Sequence, residues 1–354
     1  MNAKQYIDDA VQLLQRLIAT PRVSRDETLA ADVLFSKMDQ WGLCPKREGN
    51  NVWAVAPGFD DKRPTLLLNA HIDTVKPVAT WTRQPFQPTV EGDRLYGLGA
   101  NDCGGGLVAL LQVFRMVCAS PLSSCNLVYL ASCEEEVSGS NGIVRALPLL
   151  PPVDVAIVGE PTGMQPAIAE KGLMVIDGYA QGVSGHAARE EGVNAIYLAL
   201  DDLLWLRDYR FEKLSPLLGP TKMQVTVVEA GTQHNVVPDR LHFVVDVRTN
   251  EYYANEQVYQ FLCQHMKHCR LEARSFRLHS SCIDENHPLI RRCVEMGLTP
   301  FGSPTLSDQA LMPFPSFKLG PGQSSRSHSA DEYICLSEIA DAVQKYEALL
   351  TILR

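Results

Sequence analysis

The residues best suited to chemistry in this sequence are histidines and carboxylates that follow apolar segments. His71 and Asp73 come directly after the run TLLLNA, Asp102 lies in the glycine-rich stretch GLGANDCGGG, and Glu160 ends the run VDVAIVG. Imidazole and carboxylate groups are zinc ligands, and a carboxylate can bridge paired metal ions in a hydrolase. Each residue alone has an ordinary structural explanation, such as a helix N-cap for Asp102. Their joint occurrence favours a metal-dependent hydrolase.

Three consecutive glutamates, Glu134, Glu135 and Glu136, follow another apolar run, LVYLAS. Two like charges about 5 Å apart repel by roughly 3 kcal/mol at an effective dielectric near 20, so protons or cations must offset such a cluster. A solvated loop tip is the alternative explanation. His328, in the polar segment RSHSADEY, is a further candidate metal ligand, although a solvent-exposed histidine is the default interpretation of such a segment.

These clusters fall where an α/β sheet would place a binding site. The runs NVWAVAP, TLLLNA, LVYLAS and VDVAIVG are typical of strands, and GLVALLQVFRMVCA is typical of a buried helix. Amphipathic patterns predict earlier helices over 3–19 and 27–40. Apolar strands that alternate with helices indicate a mostly parallel sheet covered on both faces. Ligands bind beyond the carboxyl ends of the strands in such sheets.

From Gly172 onward the pattern changes to the order β-α-β-β-α-β, which is the signature of a ferredoxin-like unit. The predicted elements are strands and helices at 173–181, 192–208, 222–229, 241–248, 255–267 and 271–278. We predict an inserted domain over 173–279. The first domain is then discontinuous and comprises 1–172 plus 280–354.

Composition excludes several classes of function. The chain has 354 residues, of which 45% are hydrophobic and 21% charged, which is ordinary for a globular protein of two domains. A net charge of -9 argues against nucleic acid or a membrane surface as the main partner. Asp8 and Asp9 interrupt any apolar signal core, and no run is expected to reach the length of a membrane span. We expect a cytoplasmic protein in which the ten cysteines are reduced thiols.

Seven stretches, found in the same order along nearly the whole chain, resemble the motifs of one family. This is the co-catalytic zinc family of acetylornithine deacetylases, succinyl-diaminopimelate desuccinylases, aminoacylases and zinc carboxypeptidases of the glutamate carboxypeptidase type. The resemblance implies a zinc hydrolase domain with an inserted lid and dimerisation domain. It also implies two Zn²⁺ ions, with Co²⁺ as a substitute, and a homodimer. The matching stretches are NAHIDTVKP, LYGLGANDCGGGL, CEEEVSGSNGI, VGEPTGMQPAIAEKG, GVSGHAA, HNVVPDRLHFVVDVRTNE and GPGQSSRSHSADEYI.

The resemblance assigns the metal ligands residue by residue. His71 and Glu160 would hold one zinc ion, Glu136 and His328 would hold the other, and Asp102 would bridge them. Two departures from the family pattern lie near Asp102, where Leu98 replaces the common arginine and Cys103-Gly104 replaces methionine-lysine. A thiolate at Cys103 or Cys133 could in principle compete for zinc.

Further roles follow from the same resemblance. Glu135 would be the general base, and Asp73 would orient His71. His186 would stabilise the oxyanion, in dimers from the partner subunit. Three positions match substrate contacts: Asn235, Arg248 and Gly322.

Two of these assignments have open alternatives. Arg248 suits a substrate carboxylate because its guanidinium binds carboxylates bidentately, but it could instead form an ion pair with Asp246. A slip of one residue would make Glu134 the base and Glu135 the ligand.

The resemblance implies hydrolysis of the amide bond of an N-acyl amino acid. The stretch VGEPTGMQPAIAEKG and the chain length favour N-acetyl- or N-succinyl-ornithine, which yields ornithine for arginine synthesis. Succinyl-diaminopimelate desuccinylation, and a broader aminoacylase or carboxypeptidase activity, are the alternatives. An inactive metal-binding homologue is a more remote one. Substrate kinetics would separate them.

Overall fold

The computed structural model of the chain describes residues 2–189 and 191–353. The chain divides into two compact units. The first contains Met1–Ile168, Ile283–Phe301 and Ser307–Arg354, and the second contains Ala169–Cys282 and Gly302–Leu306.

The described residues form eight α-helices and eighteen strands, together with short 3-10 turns. The helices are α1 (Ala3–Ile18), α2 (Thr28–Gln40), α3 (Gly105–Ala119), α4 (Ile143–Ala146), α5 (Ala195–Asp208), α6 (Asn255–His265), α7 (Pro288–Glu295) and α8 (Leu336–Leu350). The strands are β1 (Lys46–Glu48), β2 (Asn51–Val55), β3 (Thr65–His71), β4 (Thr89–Glu91), β5 (Arg94–Tyr96), β6 (Asn126–Ser132), β7 (Val155–Val158), β8 (Ala167–Glu170), β9 (Met174–Gln181), β10 (Leu214–Ser215), β11 (Gly219–Pro220), β12 (Lys222–Ala230), β13 (Arg240–Arg248), β14 (Cys269–Ala273), β15 (Ser281–Cys282), β16 (Phe301–Ser303), β17 (Ser316–Lys318) and β18 (Tyr333–Cys335).

The first unit is built on a sheet in the order β1, β2, β6, β3, β7, β17. Strand β3 pairs in parallel with both β6 and β7, and β17 pairs in parallel with β7. Strand β2 pairs antiparallel with both β1 and β6. The register pairs His71 with Ser132, so the segments that follow β3 and β6 leave the sheet side by side.

Both faces of this sheet are covered. Leu66 and Leu68 of β3 pack in the cluster that contains α1, α3 and α8, whereas Leu67 packs with Val128 and α4 on the other face. This alternation follows from the period of two in a strand. Helix α3 lies very close to the segment that follows β7. A Cβ atom on Gly106 would sit 1.8 Å from the carbonyl oxygen of Gly159, so only glycine permits this approach.

One segment, Ala100–Ala119, is long and apolar enough to cross a membrane by length and composition. The expectation that no run reaches that length was therefore wrong. Of its most apolar window, 83% is buried inside the protein, as in the core helix of a globular fold. Asp102 and Cys103 also have non-helical φ and ψ angles, so regular helix begins only at Gly105.

The second unit contains β9, α5, β12, β13, α6 and β14 in that order, with the sheet order β12, β13, β9, β14. All three pairings are antiparallel. Together with the largely parallel sheet of the first unit, this confirms the predicted fold class. Strand β14 lies earlier than the predicted 271–278, because the Asp202 carboxylate accepts hydrogen bonds from the N–H groups of 267–269 and fixes the start of the strand.

Candidate metal centre

Adjacent strand ends bring the candidate ligands together. His71 is the last residue of β3, and Glu135 and Glu136 lie in a 3-10 turn that follows β6. Glu160 comes two residues after β7, on the other side of β3. Since these three strands are parallel neighbours, their carboxyl ends lie at the same edge of the sheet, as predicted.

The two remaining candidate ligands come from loops. Asp102 lies in the turn that leads into α3, and His328 lies in the segment before β18. The two carboxylate oxygens of Asp102 face different histidines: Oδ1 is 3.2 Å from His71 Nε2, and Oδ2 is 3.5 Å from His328 Nε2. A carboxylate placed between two histidines in this way could offer one oxygen to each of two metal ions.

Each histidine also faces a glutamate. Oε1 of Glu160 is 3.7 Å from His71 Nε2, and Oε2 of Glu136 is 2.9 Å from His328 Nε2. Oε2 of Glu135 lies 4.0 Å from His71 Nε2. The five residues expected to bind metal therefore form one cluster, and Glu135 borders it.

The Asp73 carboxylate supports the turn that carries Glu135 and Glu136. Its Oδ1 accepts a hydrogen bond from the N–H of Glu135 at 3.0 Å, and its Oδ2 accepts one from the N–H of Glu136 at 3.2 Å and one from Ser24 Oγ at 2.7 Å. Burial alone would raise the pKa of Asp73, but the contacts with His71, Ser24 and the Glu135 N–H lower it. The ionised Asp73 therefore fixes the turn that carries both glutamates. Its Oδ1 also lies 3.6 Å from His71 Nδ1.

The third glutamate points elsewhere. Glu134 has a left-handed φ of 56°, and its Oε1 accepts a hydrogen bond from Asn141 Nδ2 at 2.9 Å. Its backbone N–H donates to the buried Glu27 carboxylate at 3.2 Å. Glu134 thus belongs to the support of the turn, which leaves Glu135 and Glu136 beside the histidines.

The cluster concentrates negative charge in a buried place. Burial and the neighbouring carboxylates raise the pKa of Glu135 well above its usual value and raise that of Glu160 to about 8. The hydrogen bond from His328 to Glu136 raises the pKa of His328 to about 9. Carboxylates that resist ionisation at neutral pH are stabilised when cations are close, because the repulsion among them is then offset.

The donor set fits divalent metal ions. His71, Asp102 and Glu136 each offer a ligand atom, and these atoms lie within 4.8 Å of one another. Among the described residues, Oε1 of Glu160 is a buried oxygen without a hydrogen-bond partner, which is unusual for such an atom. A nitrogen and oxygen donor set of this kind is one that zinc accepts.

Cys103 is the unexpected neighbour of this set. A second group of candidate ligand atoms consists of His71, Cys103 and Glu160. The Cys103 thiol is buried, and burial raises its pKa to about 12. Its sulfur accepts a hydrogen bond from the backbone N–H of His71 at 3.3 Å.

Two buried acids near the site were missed by sequence reasoning. Burial raises the pKa of Asp308 and of Glu332 to about 7. Asp308 accepts a hydrogen bond from Ser132 Oγ at 2.5 Å, at the end of β6. Glu332 accepts hydrogen bonds from the N–H groups of Gly99, Asn101 and Asp102. The sequence signal for Glu332 is its place in the segment SADEY, four residues after the candidate ligand His328.

Gly322 lies in the first unit with the metal cluster. Its φ is 83°, in the region that favours glycine, and a Cβ atom there would lie 2.2 Å from Asn101 Oδ1. A side chain at this position would therefore disturb the turn that carries Asp102.

The three other predicted site residues lie in the second unit. His186 and Asn235 are exposed, and Nδ1 of His186 accepts a hydrogen bond from the N–H of Ala188 at 3.1 Å. Arg248 forms a bidentate pair with Asp246, with bonds of 2.8 and 3.0 Å, as the alternative reading of this residue anticipated. The Arg248 side chain remains accessible to solvent in this pair, because it is 36% exposed.

The family model described as peptidase family M20/M25/M40 matches residues 67–352. The chain belongs to this family. It is accordingly a metal-dependent amidohydrolase. The match covers every candidate metal ligand and the whole of the second unit.

Solved structures agree with this M20 assignment at the level of the fold. A tripeptidase from Staphylococcus aureus has a TM-score of 0.77 and 18% identity over 98% of both chains. A dinuclear metal-binding peptidase of the M20 family from Bacillus subtilis has a TM-score of 0.76 and 17% identity over 99% of both chains. A metallo-carboxypeptidase of the M20 family from Sulfolobus solfataricus has a TM-score of 0.74 and 18% identity, covering 97% of this chain and 98% of its own.

Proposed function

We propose that this M20 protein hydrolyses the amide bond of an N-acyl amino acid at a centre of two zinc ions. One observation carries the proposal: the Asp102 carboxylate lies between His71 and His328, each of which also faces a glutamate. Asp102 would bridge the ions. His71 with Glu160, and His328 with Glu136, would each complete one site, and Co²⁺ would be accepted in place of Zn²⁺.

The protein residues around such a centre have distinct tasks. When bound, the metal ions would polarise the amide carbonyl and stabilise negative charge on its oxygen. Glu135 would take a proton from the attacking water and return it to the leaving amine. Its carboxylate suits this task because it lies beside the ligands, with Oε2 at 4.0 Å from His71 Nε2. Asp73 would keep Glu135 and Glu136 in place through their N–H groups.

The proposed substrate is N-acetyl- or N-succinyl-ornithine, on the basis of the motif resemblance. Succinyl-diaminopimelate is the first alternative. A small peptide is the second candidate, because the similar structures are described as a tripeptidase and a metallo-carboxypeptidase. The acyl-ornithines and N-succinyl-diaminopimelate carry a carboxylate beside the scissile amide, which Arg248 could bind if it exchanged Asp246 for the substrate.

Side-by-side kinetics with the zinc-loaded protein test this proposal. We expect kcat/KM for one of the acyl-ornithines to exceed that for N-succinyl-diaminopimelate and for a panel of dipeptides and tripeptides by at least about tenfold. Faster turnover of the peptides would replace the deacylase assignment with a peptidase one. Turnover of none of these compounds by a protein that binds zinc would favour an inactive homologue.

We also propose that the protein is a homodimer through its second unit, which would be a lid and dimerisation domain. Helix α5 exposes Tyr197, Leu200 and Leu204, and Tyr197 is 73% exposed. Strand β12 is an edge strand that exposes Val227 and Val228. Contiguous exposed apolar residues and an unpaired strand edge are features of an interface.

The dimer has a direct test and a consequence for the site. Leu204→Glu should shift the mass measured by light scattering from dimer to monomer, whereas Glu212→Lys, at an exposed position of the same unit, should not. In the dimer, His186 of one subunit would stabilise the oxyanion in the other, with Asn235 and Gly322 lining the substrate site.

All ten cysteines lie in the described part of the chain and are free thiols, which supports a cytoplasmic location.

A further inference from the structure

The turn 97–104, which carries Asp102, is hydrogen-bonded to two other segments of the first unit. On one side, the fully buried Arg22 donates hydrogen bonds to the carbonyl oxygens of Ile72 at 2.9 Å and Gly99 at 2.8 Å, which ties the turn to the segment of His71. On the other side, Asn101 ties it to the segment that precedes His328. The turn is therefore connected separately to each of the two histidine segments.

The Asn101 side chain makes three hydrogen bonds to one short segment. Its Nδ2 donates to the carbonyl oxygen of Gln323 at 3.0 Å and to Ser327 Oγ at 3.3 Å. Its Oδ1 accepts from the N–H of Gln323 at 2.9 Å. Asn101 is itself fully buried. A side chain that satisfies both backbone groups of one residue fixes the position of that residue in two directions.

His328 depends on such support. Its side chain is 54% exposed, so packing does little to orient the ring. Its φ is 59°, which a residue other than glycine seldom adopts unless the surroundings hold it there. His71, in contrast, is buried at the end of a central strand.

The backbone of the turn does not need the Asn101 side chain. The buried Glu332 carboxylate accepts the N–H groups of Asn101 and Asp102 at 2.8 and 2.9 Å, and that of Gly99 at 3.0 Å. Asp102 should therefore keep its place when the Asn101 side chain is shortened. Shortening the Asn101 side chain should instead release the segment Gln323–Ser327 and thereby change the position of His328.

We infer that Asn101 is a positioning residue for one metal site only. It holds Gln323–Ser327 so that His328 meets Glu136 and Asp102, while the site of His71 and Glu160 is built without it. This inference rests on the proposed two-ion function. It identifies a residue whose loss separates the two sites.

Calorimetric titration of the metal-free full chain with Zn²⁺ tests the inference. In Asn101→Ala we expect the affinity of one site to fall by about 10- to 100-fold, the range typical for residues that orient metal ligands, while the other stays within about threefold. Asn101→Ser, which keeps a small polar group, should show the same selective loss, and thermal unfolding of both variants checks that they fold.

Asn255→Ala is the matched control. Asn255 is also a buried asparagine whose Nδ2 donates to backbone carbonyls, those of Phe276 and Leu278, but it lies in the second unit. This variant should unfold at a lower temperature with both zinc affinities unchanged. If the wild type binds two ions and the Asn101 variants keep both affinities, or weaken both equally, the inference about Asn101 is overturned and the proposed function is not. Wild type that does not bind two ions would overturn the proposed function.

Discussion

Asp73→Asn is the substitution that most directly probes how the fold prepares the site. The two residues have the same shape, but an amide has one oxygen where the carboxylate has two. Asp73 accepts one backbone N–H at each oxygen, from Glu135 and from Glu136. In the variant, one of these N–H groups must face an amide NH₂ instead of an acceptor.

The magnitude follows from these contacts. Loss of one hydrogen bond to a charged acceptor costs about 1.5–3 kcal/mol, and the partly buried N–H left without a partner adds about 1 kcal/mol. We expect the free energy of unfolding to fall by about 3 kcal/mol. Ser24→Ala removes only the Ser24 Oγ bond to Asp73 and should cost about 1 kcal/mol.

Urea unfolding of the metal-free proteins measures both effects without a contribution from metal binding. The pKa of Asp73 is lowered in the fold, so the stability that its ionised form contributes is present above about pH 4 and is lost as the pH falls below it. The difference between wild type and Asp73→Asn should therefore shrink in acid. A difference below about 1 kcal/mol at pH 7 would refute the role of Asp73 as the support of the turn.

Two other predictions concern the folds of the two units. In the second unit, hydrogen bonds from Arg274 and His242 lower the pKa of Asp177 to about 2. The stability that Asp177 contributes is therefore present above about pH 4 and lost as the pH falls toward 2. After allowance for solvent screening, we expect Asp177→Asn to lower the free energy of unfolding by about 1 kcal/mol at pH 7. Thermal unfolding at pH 3 should show a smaller difference between the variant and the wild type. In the first unit, Gly106→Ala would place a methyl group 1.8 Å from the Gly159 carbonyl oxygen, so we expect a loss of about 3 kcal/mol in urea unfolding; an unchanged midpoint would show that α3 can move away from β7.

The sequence predicts well the parts of the site that depend on strand ends. His71, the glutamates and Glu160 each follow an apolar run, and parallel pairing of those runs is enough to bring them to one edge. The β-α-β-β-α-β order likewise follows from local periodicity. These features depend on patterns within about ten residues, which a single sequence displays.

The parts that escaped prediction depend on contacts between distant segments. Arg22 reaches Gly99, Glu332 reaches back to the turn of Asp102, and Asn101 reaches Gln323. An asparagine in a glycine-rich turn looks the same in the sequence whether it faces water or another segment. The pairing of Arg248 with Asp246 was anticipated only as an alternative, because periodicity places both side chains on one face of β13 without saying which partner each prefers.

Glu135 and Glu136 are assigned different tasks, as base and as metal ligand, and metal content measured together with turnover in Glu135→Gln and Glu136→Gln distinguishes these tasks. The variants differ by one position and make the same chemical change, so each controls for the other. We expect Glu135→Gln to keep two zinc ions per chain and to lose turnover of its best substrate by about 10²- to 10⁴-fold. Glu136→Gln should bind one ion fewer or bind it far more weakly. Retention of turnover in Glu135→Gln, or loss of an ion in that variant rather than in Glu136→Gln, would show that Glu135 is not the base.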